Sequence, residues 1–255
     1  MKNKRNKTCW IIGASSGIGA ALALELAKGG ENVCISSSSP QVLNSKAQEI
    51  SRLLGREIYQ QVVDVSSYEQ VAQVADDVLK KYSRLDRVIY MAGIYEPMKT
   101  DDIDPKITAK IVEINLTGAF NTVSVVTPIL KRQKYGQIAI CGSLSGYIGL
   151  PNSQPYASTK AGLINLAETL RVDLYKKVDI KLISPGFVST RLTKKNSFKM
   201  PGLMTPEEAA VVIRKGLDSK KFEIHFPKQL SLTLKFISLM PYLLSNLILR
   251  KMNIK

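Results

Sequence analysis

Short apolar runs rich in Val and Ile alternate with longer stretches whose apolar positions recur every three or four residues. The runs Thr8–Ala14, Asn32–Ser36, Glu57–Val65, Arg87–Met91, Gln137–Cys141, Asp179–Ser184 and Phe222–Phe226 predict strands. Between them, Gly19–Lys28, Val42–Leu54, Tyr68–Lys81, Lys106–Lys131, Tyr156–Lys176 and Pro206–Leu217 predict helices. Thr205 before Pro206-Glu207-Glu208 is a helix start, because a Thr hydroxyl can cap free N–H groups and Pro suits the first turn. Strands alternating with helices imply βαβ units, hence an α/β fold: a doubly wound parallel sheet of about seven strands covered on both faces. No internal repeat or linker divides the chain. The expected organisation is one domain over 1–228 and an amphipathic helical extension over 229–255.

Composition narrows the chemistry. Of 255 residues, 45% are apolar and 22% charged, which excludes disorder for the bulk of the chain. The single histidine, His225, leaves no material for a Cys/His zinc cluster, so no metal is expected. His225 would have to serve any Ser-His-Asp triad, and its place at a strand end beside Phe226-Pro227 suits a structural role better. Cys9, Cys34 and Cys141 lie scattered in apolar runs, which argues for buried thiols in a reducing cytoplasm. The net charge of +15 is compatible with nucleic acid, an anionic membrane, an anionic ligand or a plain solvated surface. Lys2, Lys4, Arg5 and Lys7 precede the first strand, and the apolar run after them is too short for a signal-peptide core.

The first strand ends in Gly13-Ala-Ser15-Ser16-Gly17-Ile18-Gly19 and leads directly into a helix. Glycines there allow a tight turn and close approach of a pyrophosphate to the helix N-terminus, where free N–H groups and the dipole favour anions. The second strand ends in Ser36-Ser37-Ser38-Ser39, with no carboxylate to engage a ribose 2′-hydroxyl. Ser37 and Ser38 could instead receive a 2′-phosphate, which favours NADP(H) over NAD(H); a polar turn before Pro40 is the alternative, and no basic clamp stands beside the serines in sequence. Asp64-Val65 closes the third strand, where a carboxylate can accept from an adenine amino group.

Ser143 follows the fifth strand, and thirteen residues later comes Tyr156-Ala-Ser-Thr-Lys160. Tyr and Lys at i and i+4 share a helix face, so an ammonium beside the phenol would lower its pKa toward general acid/base range. A serine hydroxyl across the pocket could hold a carbonyl oxygen. Gly142-Ser143-Leu144-Ser145-Gly146 is no nucleophile elbow, because Leu144 holds the central position.

Together with Pro185-Gly186 after the sixth strand, these residues resemble the short-chain dehydrogenase/reductase family over about residues 8–226. The resemblance implies a Rossmann-type fold, a nicotinamide dinucleotide, a small carbonyl or alcohol substrate and a homo-oligomer. It implies Tyr156 as the acid/base, Ser143 as the carbonyl-orienting hydroxyl and Lys160 as the ribose ligand that depresses the tyrosine pKa. Asn115, in Glu113-Ile-Asn-Leu-Thr-Gly118, resembles the helix asparagine that supports a proton-relay water. Ala92 and Gly93 would border the cofactor, and Pro185, Gly186, Val188 and Thr190 would run along the nicotinamide and phosphates. Two departures stand out: Ile12 where the family has Thr before Gly13, and Tyr90-Met91 where it has Asn-Asn before Ala92-Gly93. They are expected to exchange a polar contact between neighbouring strands for hydrophobic packing.

Between Gly186 and Thr205, Arg191, Lys194, Lys195 and Lys199 mix with Leu192, Phe198, Met200 and Leu203. That mixture suits a lid over an acyl chain or an anionic carbonyl compound, or a solvent-facing loop. Leu232, Phe236, Leu239, Met240, Leu243, Leu244 and Leu247 recur at helical spacing, interrupted by Pro241. Flanked by Lys228, Arg250, Lys251 and Lys255 and free of acids, this tail suits an interfacial anchor, a helix on a partner subunit or one packed on its own domain. The reading is a cytoplasmic NAD(P)-dependent oxidoreductase, an NADPH-dependent reductase of a lipophilic substrate, with peripheral membrane contact through the tail. The alternative is a catalytically idle nucleotide-sensing or scaffolding protein of the same fold. Nucleic acid is not an expected partner, for no aromatic platform or reading motif accompanies the charge.

Overall fold

The computed structural model describes residues 6–196 and 198–252; Lys2, Lys4, Arg5 and Lys255 of the basic termini lie outside them. Seven strands form one sheet: β1 (Thr8–Ile12), β2 (Asn32–Ser37), β3 (Tyr59–Val62), β4 (Arg87–Tyr90), β5 (Gln137–Cys141), β6 (Asp179–Pro185) and β7 (Glu223–Phe226). Their order is β3-β2-β1-β4-β5-β6-β7, and every pairing is parallel. The central strands are buried on both faces, which explains their unbroken apolar runs.

The helices are α1 (Gly17–Lys28), α2 (Pro40–Leu54), α3 (Tyr68–Tyr82), α4 (Pro105–Val112), α5 (Gly118–Gln133), α6 (Tyr156–Asp173), α7 (Pro206–Leu217), α8 (Lys228–Ser238) and α9 (Tyr242–Met252). One core, holding Trp10, Val88, Ile138 and Leu163, lies under α3, α5 and α6. The other, holding Ile11, Leu22, Leu43 and Ile213, lies under α1, α2 and α7. The chain builds outward from β1 to β3, then crosses to β4 and builds the other way. The strand ends at that reversal, between β1 and β4, form the crevice in which such sheets place ligands.

Several boundaries differ from the sequence reading. β1 stops at Ile12 because Gly13 turns the chain out with φ +89°. β3 is an edge strand with β2 as its sole partner and is shorter than 57–65, so Asp64 and Val65 fall in the loop beyond it. The single helix expected over 106–131 is α4 and α5 joined by a π turn at Glu113–Thr117, where the Gly118 N–H reaches back five residues to the Glu113 carbonyl. The tail folds as α8 and α9, separated at Pro241, which has no N–H to continue a helix. Thr205 and Glu208 form the reciprocal cap expected of the α7 start. All three cysteines are buried and free, and burial pushes the Cys34 thiol up to about 12.

Candidate active site

The glycine turn lies at the head of β1. Gly13 and Ala14 both donate to the Ser36 carbonyl, which brings the turn against the end of β2. Close approach is obligatory here: a Cβ on Gly13 would lie 2.5 Å from the Ala92 nitrogen, and one on Gly19 2.3 Å from the Gly13 carbonyl. Ser15, Ser16, Gly17 and Ile18 are partly exposed. Ser16 precedes α1 but gives it no side-chain cap, so the first N–H groups of that helix are left for an anion. Its hydroxyl instead accepts from the Arg191 guanidinium at 3.3 Å, and Thr190 stands against Gly17. A dinucleotide pyrophosphate fits this cradle of backbone donors, small residues and one cation.

At neighbouring strand ends, Ser37 is half-buried and Ser38 exposed, while Ser36 is consumed by the Trp10 indole N–H at 2.9 Å. Asp64 is exposed, and one carboxylate oxygen accepts from the Ser66 N–H and hydroxyl, leaving the other for an outside donor. Val65 is buried in the core cluster, and its carbonyl accepts from Asn121.

Ser143 emerges from β5 in extended conformation and accepts from the Ser145 N–H and hydroxyl. Tyr156 and Lys160 share a face of α6, the Lys160 Nζ lying 5.4 Å from the tyrosine ring centre. Lys160 is buried and donates to the Cys141 carbonyl at 2.8 Å. Burial pushes the Tyr156 phenol up from its ordinary value, and the Ser143 hydroxyl beside it draws it partly back. Burial likewise pushes the Lys160 ammonium down. The expected net lowering of the phenol is therefore not the direction found in this arrangement: desolvation raises the phenol and lowers the ammonium.

Asn115 is fully buried in the π turn. Its Oδ1 accepts from the Ile94 N–H at 2.7 Å, and its Nδ2 donates to the Ile94 carbonyl at 3.0 Å and to Thr159 at 3.2 Å. The side chain is thus a clamp between the strand-end loop at Ala92-Gly93 and α6. Lys160 and Asn115 converge there, since a Cβ on Gly93 would lie 3.7 Å from Lys160 Nζ and 3.3 Å from Asn115 Oδ1.

Of the two departures, Ile12 and Tyr90 are paired across β1 and β4 and buried in one core cluster. Tyr90 is not merely apolar, however. Its hydroxyl donates to the Ile114 carbonyl, the group that loses its ordinary partner when Gly118 bonds to Glu113. A Cβ on Gly118 would strike that hydroxyl at 2.5 Å.

The segment after β6 reaches the loops of the site through Arg191, Lys195 and Asn196. Val188 is buried, Gly186 donates to the Phe226 carbonyl, and Thr193 binds the Val188 carbonyl and the Thr190 N–H. Sequence reasoning missed Tyr95 and Asn196: Tyr95 packs edge-on to Tyr156 at 5.1 Å between centres and donates to Asn196 at 3.0 Å. Lys195 donates to the Tyr95 carbonyl and pairs with Glu96. The position of Tyr95 two residues after Gly93 was the only available signal. His225 contacts Ser231 at 2.6 Å, a contact that helps to hold α8 to the end of β7.

A seven-stranded parallel sheet, a glycine cradle at its crevice and a Ser–Tyr–Lys cluster beside it are the framework of a dinucleotide-dependent oxidoreductase. The short chain dehydrogenase family matches residues 7–200, and the chain belongs to the short-chain dehydrogenase/reductase family. It is 33% identical over 195 residues to 3-oxoacyl-(acyl-carrier-protein) reductase FabG of Thermotoga maritima, covering 74% of this chain and 77% of that protein. It is 31% identical over 236 residues to an uncharacterized oxidoreductase of Myxococcus xanthus, covering 92% and 93% of the two chains. An alcohol dehydrogenase from Thermococcus sibiricus complexed with 5-hydroxy-NADP superposes with a TM-score of 0.79 at 27% identity, over 87% of this chain and 96% of that one. A Burkholderia phymatum short-chain dehydrogenase/reductase in complex with NAD has the same fold, with a TM-score of 0.83 at 22% identity over 92% and 94%. The protein is an NAD(P)-dependent oxidoreductase.

Proposed function

We propose that the protein is an NADPH-dependent reductase of a lipophilic carbonyl compound, with Tyr156 as proton donor, Ser143 as carbonyl-orienting group and Lys160 as their electrostatic partner. The observation that carries this reading is the convergence of Ser143, Tyr156 and Lys160 at the ends of β5 and α6, next to the glycine cradle. The bound nicotinamide supplies the hydride. The Tyr156 hydroxyl gives its proton to the carbonyl oxygen, which Ser143 holds by a hydrogen bond. A phenol kept protonated by burial is in the correct state for reduction. Lys160, with a lowered ammonium pKa, is suited to pass a proton toward the resulting phenolate. Asn115 serves as a positioning residue by fixing Ile94 against α6.

The preference for NADP(H) is supported by the carboxylate-free Ser37-Ser38 end of β2, and Arg191 beside Ser16 adds a cation to the glycine turn that serves any phosphate bound there. A lipophilic substrate is supported by the lid, where Phe187 and Phe198 stack edge to face at 5.6 Å and Leu203 is exposed. Exposed Phe120 on α5, Val172 on α6 and Tyr175 in the turn after α6 support a homo-oligomer.

Separate titrations with NADPH and NADH, read by thermal stability and Trp10 fluorescence, test the cofactor. At a hundredfold excess over Kd, a ligand specific for the folded state adds about 2.7 kcal/mol. Stabilisation by NADPH and not NADH is the expected result; the reverse overturns the preference, and no response to either overturns the enzymatic reading. Tyr156→Phe is expected to keep NADPH binding and lose about 10²–10⁴-fold in turnover of medium-chain aldehydes and ketones.

A further inference from the structure

We propose that α8 and α9 form a docking surface for an anionic lipid bilayer, with the corner at Pro241 entering the headgroup region. One side of α8 is committed to the domain: Ser231, Leu234 and Ile237 are buried, and Lys235 pairs with Glu223 at the base of β7. Its other side carries Leu232, Phe236 and Leu239 at i, i+4 and i+7, all exposed. On α9, Tyr242, Leu243, Leu244 and Leu247 are exposed. Exposure peaks on both sides of Pro241, at 85% for Leu239, 87% for Tyr242 and 76% for Leu243. The most exposed large apolar side chains of the tail therefore flank Pro241, an arrangement that water disfavours.

Charge selects the occupant. Residues 226–255 contain Lys228, Lys235, Arg250, Lys251 and Lys255 and no Asp or Glu. Arg250 and Lys251, at the end of α9, are exposed and carry no ion pair among the described residues. An acid-free apolar ridge with cationic ends complements a surface with a hydrocarbon interior and negative headgroups. A second copy of this chain brings the same acid-free tail and a net charge of +15, so pairing tail on tail would set like charges together. Neither α8 nor α9, at 11 residues each, can span hydrocarbon that needs about 20, so the pair lies in the interface. The base of α8 adjoins the segment after β6: Pro227, at the N-cap of α8, sits against Gly186 and Gly202. The docking does not depend on the proposed substrate.

The test is flotation of the full-length protein with vesicles of phosphatidylcholine, or of phosphatidylcholine and phosphatidylglycerol in equal amounts. Light scattering of the free protein runs in parallel. Binding to the mixed vesicles is expected to exceed binding to phosphatidylcholine by about tenfold or more, since each basic residue near an anionic surface contributes about 1 kcal/mol. The double variant Leu239→Asp/Leu243→Asp should lose vesicle binding with its solution mass and NADPH-induced stabilisation unchanged, because both side chains point to solvent. Arg250→Glu/Lys251→Glu should lose the dependence on phosphatidylglycerol. Wild-type protein that does not float with either vesicle overturns the proposal. So does a wild-type oligomer that the Leu239→Asp/Leu243→Asp variant dissociates without any vesicle binding, which would make the ridge a subunit interface.

Discussion

At the scale of single residues, the site depends on groups whose only task is to satisfy other groups. The π turn displaces the hydrogen bond that the Ile114 carbonyl would ordinarily accept, and the Tyr90 hydroxyl takes its place from a neighbouring strand. Tyr90→Phe keeps the ring packed against Ile12 and leaves that carbonyl unpaired in the core. The expected loss is about 1–3 kcal/mol in urea unfolding. Because the same turn carries Asn115, turnover should fall more than NADPH affinity. A variant as stable and active as the parent would show that the π turn does not need the hydroxyl. Arg191 meets Ser16 across 175 residues, a pairing that no local pattern gives. Arg191→Ala is expected to weaken NADPH by about tenfold, the size of one charge-assisted contact, and NADH by less, measured by fluorescence titration. Equal losses for the two would assign the guanidinium to the pyrophosphate alone.

Among the elements, α8 is held to β7 by an ion pair, Lys235 with Glu223. Glu223 is half-buried, which by itself would raise its pKa, but hydrogen bonds from Lys235, Tyr147 and Ser184 hold it below the ordinary carboxylate value. A depressed carboxylate stabilises the fold fully above its unfolded value of about 4.3, and that contribution is lost as pH falls through the folded value. Acidification through that window should therefore speed amide exchange in α8 ahead of the central strands. In Glu223→Gln the α8 amides should exchange faster already at neutral pH and lose the acid-dependent step. Tyr147 lies just beyond the turn that Ser143 begins, so the same contacts tie the tail to the catalytic loop.

Across the whole molecule, the two ends of the sheet are built to opposite purposes. At the N-terminal ends of the strands, Arg87 is buried among Gln137, Glu31 and Asp218, and the Cys9 thiol donates to Glu31. Hydrogen bonds from Arg87 and Lys7 hold the Asp218 carboxyl below its ordinary value against the opposing effect of partial burial. This end is an ionic staple, distant in the topology from the site, in which Arg87 Nη1 faces Glu31 at 3.5 Å without a hydrogen bond. Arg87→Ala strands the buried Glu31 charge, and an expected cost of about 3–5 kcal/mol is measurable by denaturant unfolding, with residual folded enzyme retaining NADPH affinity. The C-terminal ends of the strands, by contrast, are left open and carry glycines, hydroxyls and the Tyr–Lys pair.

The alternation of strands and helices, the glycine turn, the Tyr156–Lys160 spacing and the cap at Thr205 were legible in the sequence. Each is written in a window of a few residues, where period, chirality and hydrogen-bonding capacity act locally. Boundaries failed where tertiary partners meet the chain: β3 is an edge strand with a single neighbour, and the helix expected over 106–131 is interrupted by a π turn that Tyr90 and Thr159 of α6 contact. The balance of the Tyr156 and Lys160 ionisation was likewise not local, because sequence reveals a neighbouring charge but not how deeply both groups are buried. Tertiary structure alone decided that Arg191 meets Ser16, 175 residues away, and that Tyr95 joins Tyr156 to Asn196, 101 residues on from Tyr95. Such contacts arise from the way chain crossovers bring loops to one end of the sheet, and no local pattern encodes the pairing of two loops that share only a destination.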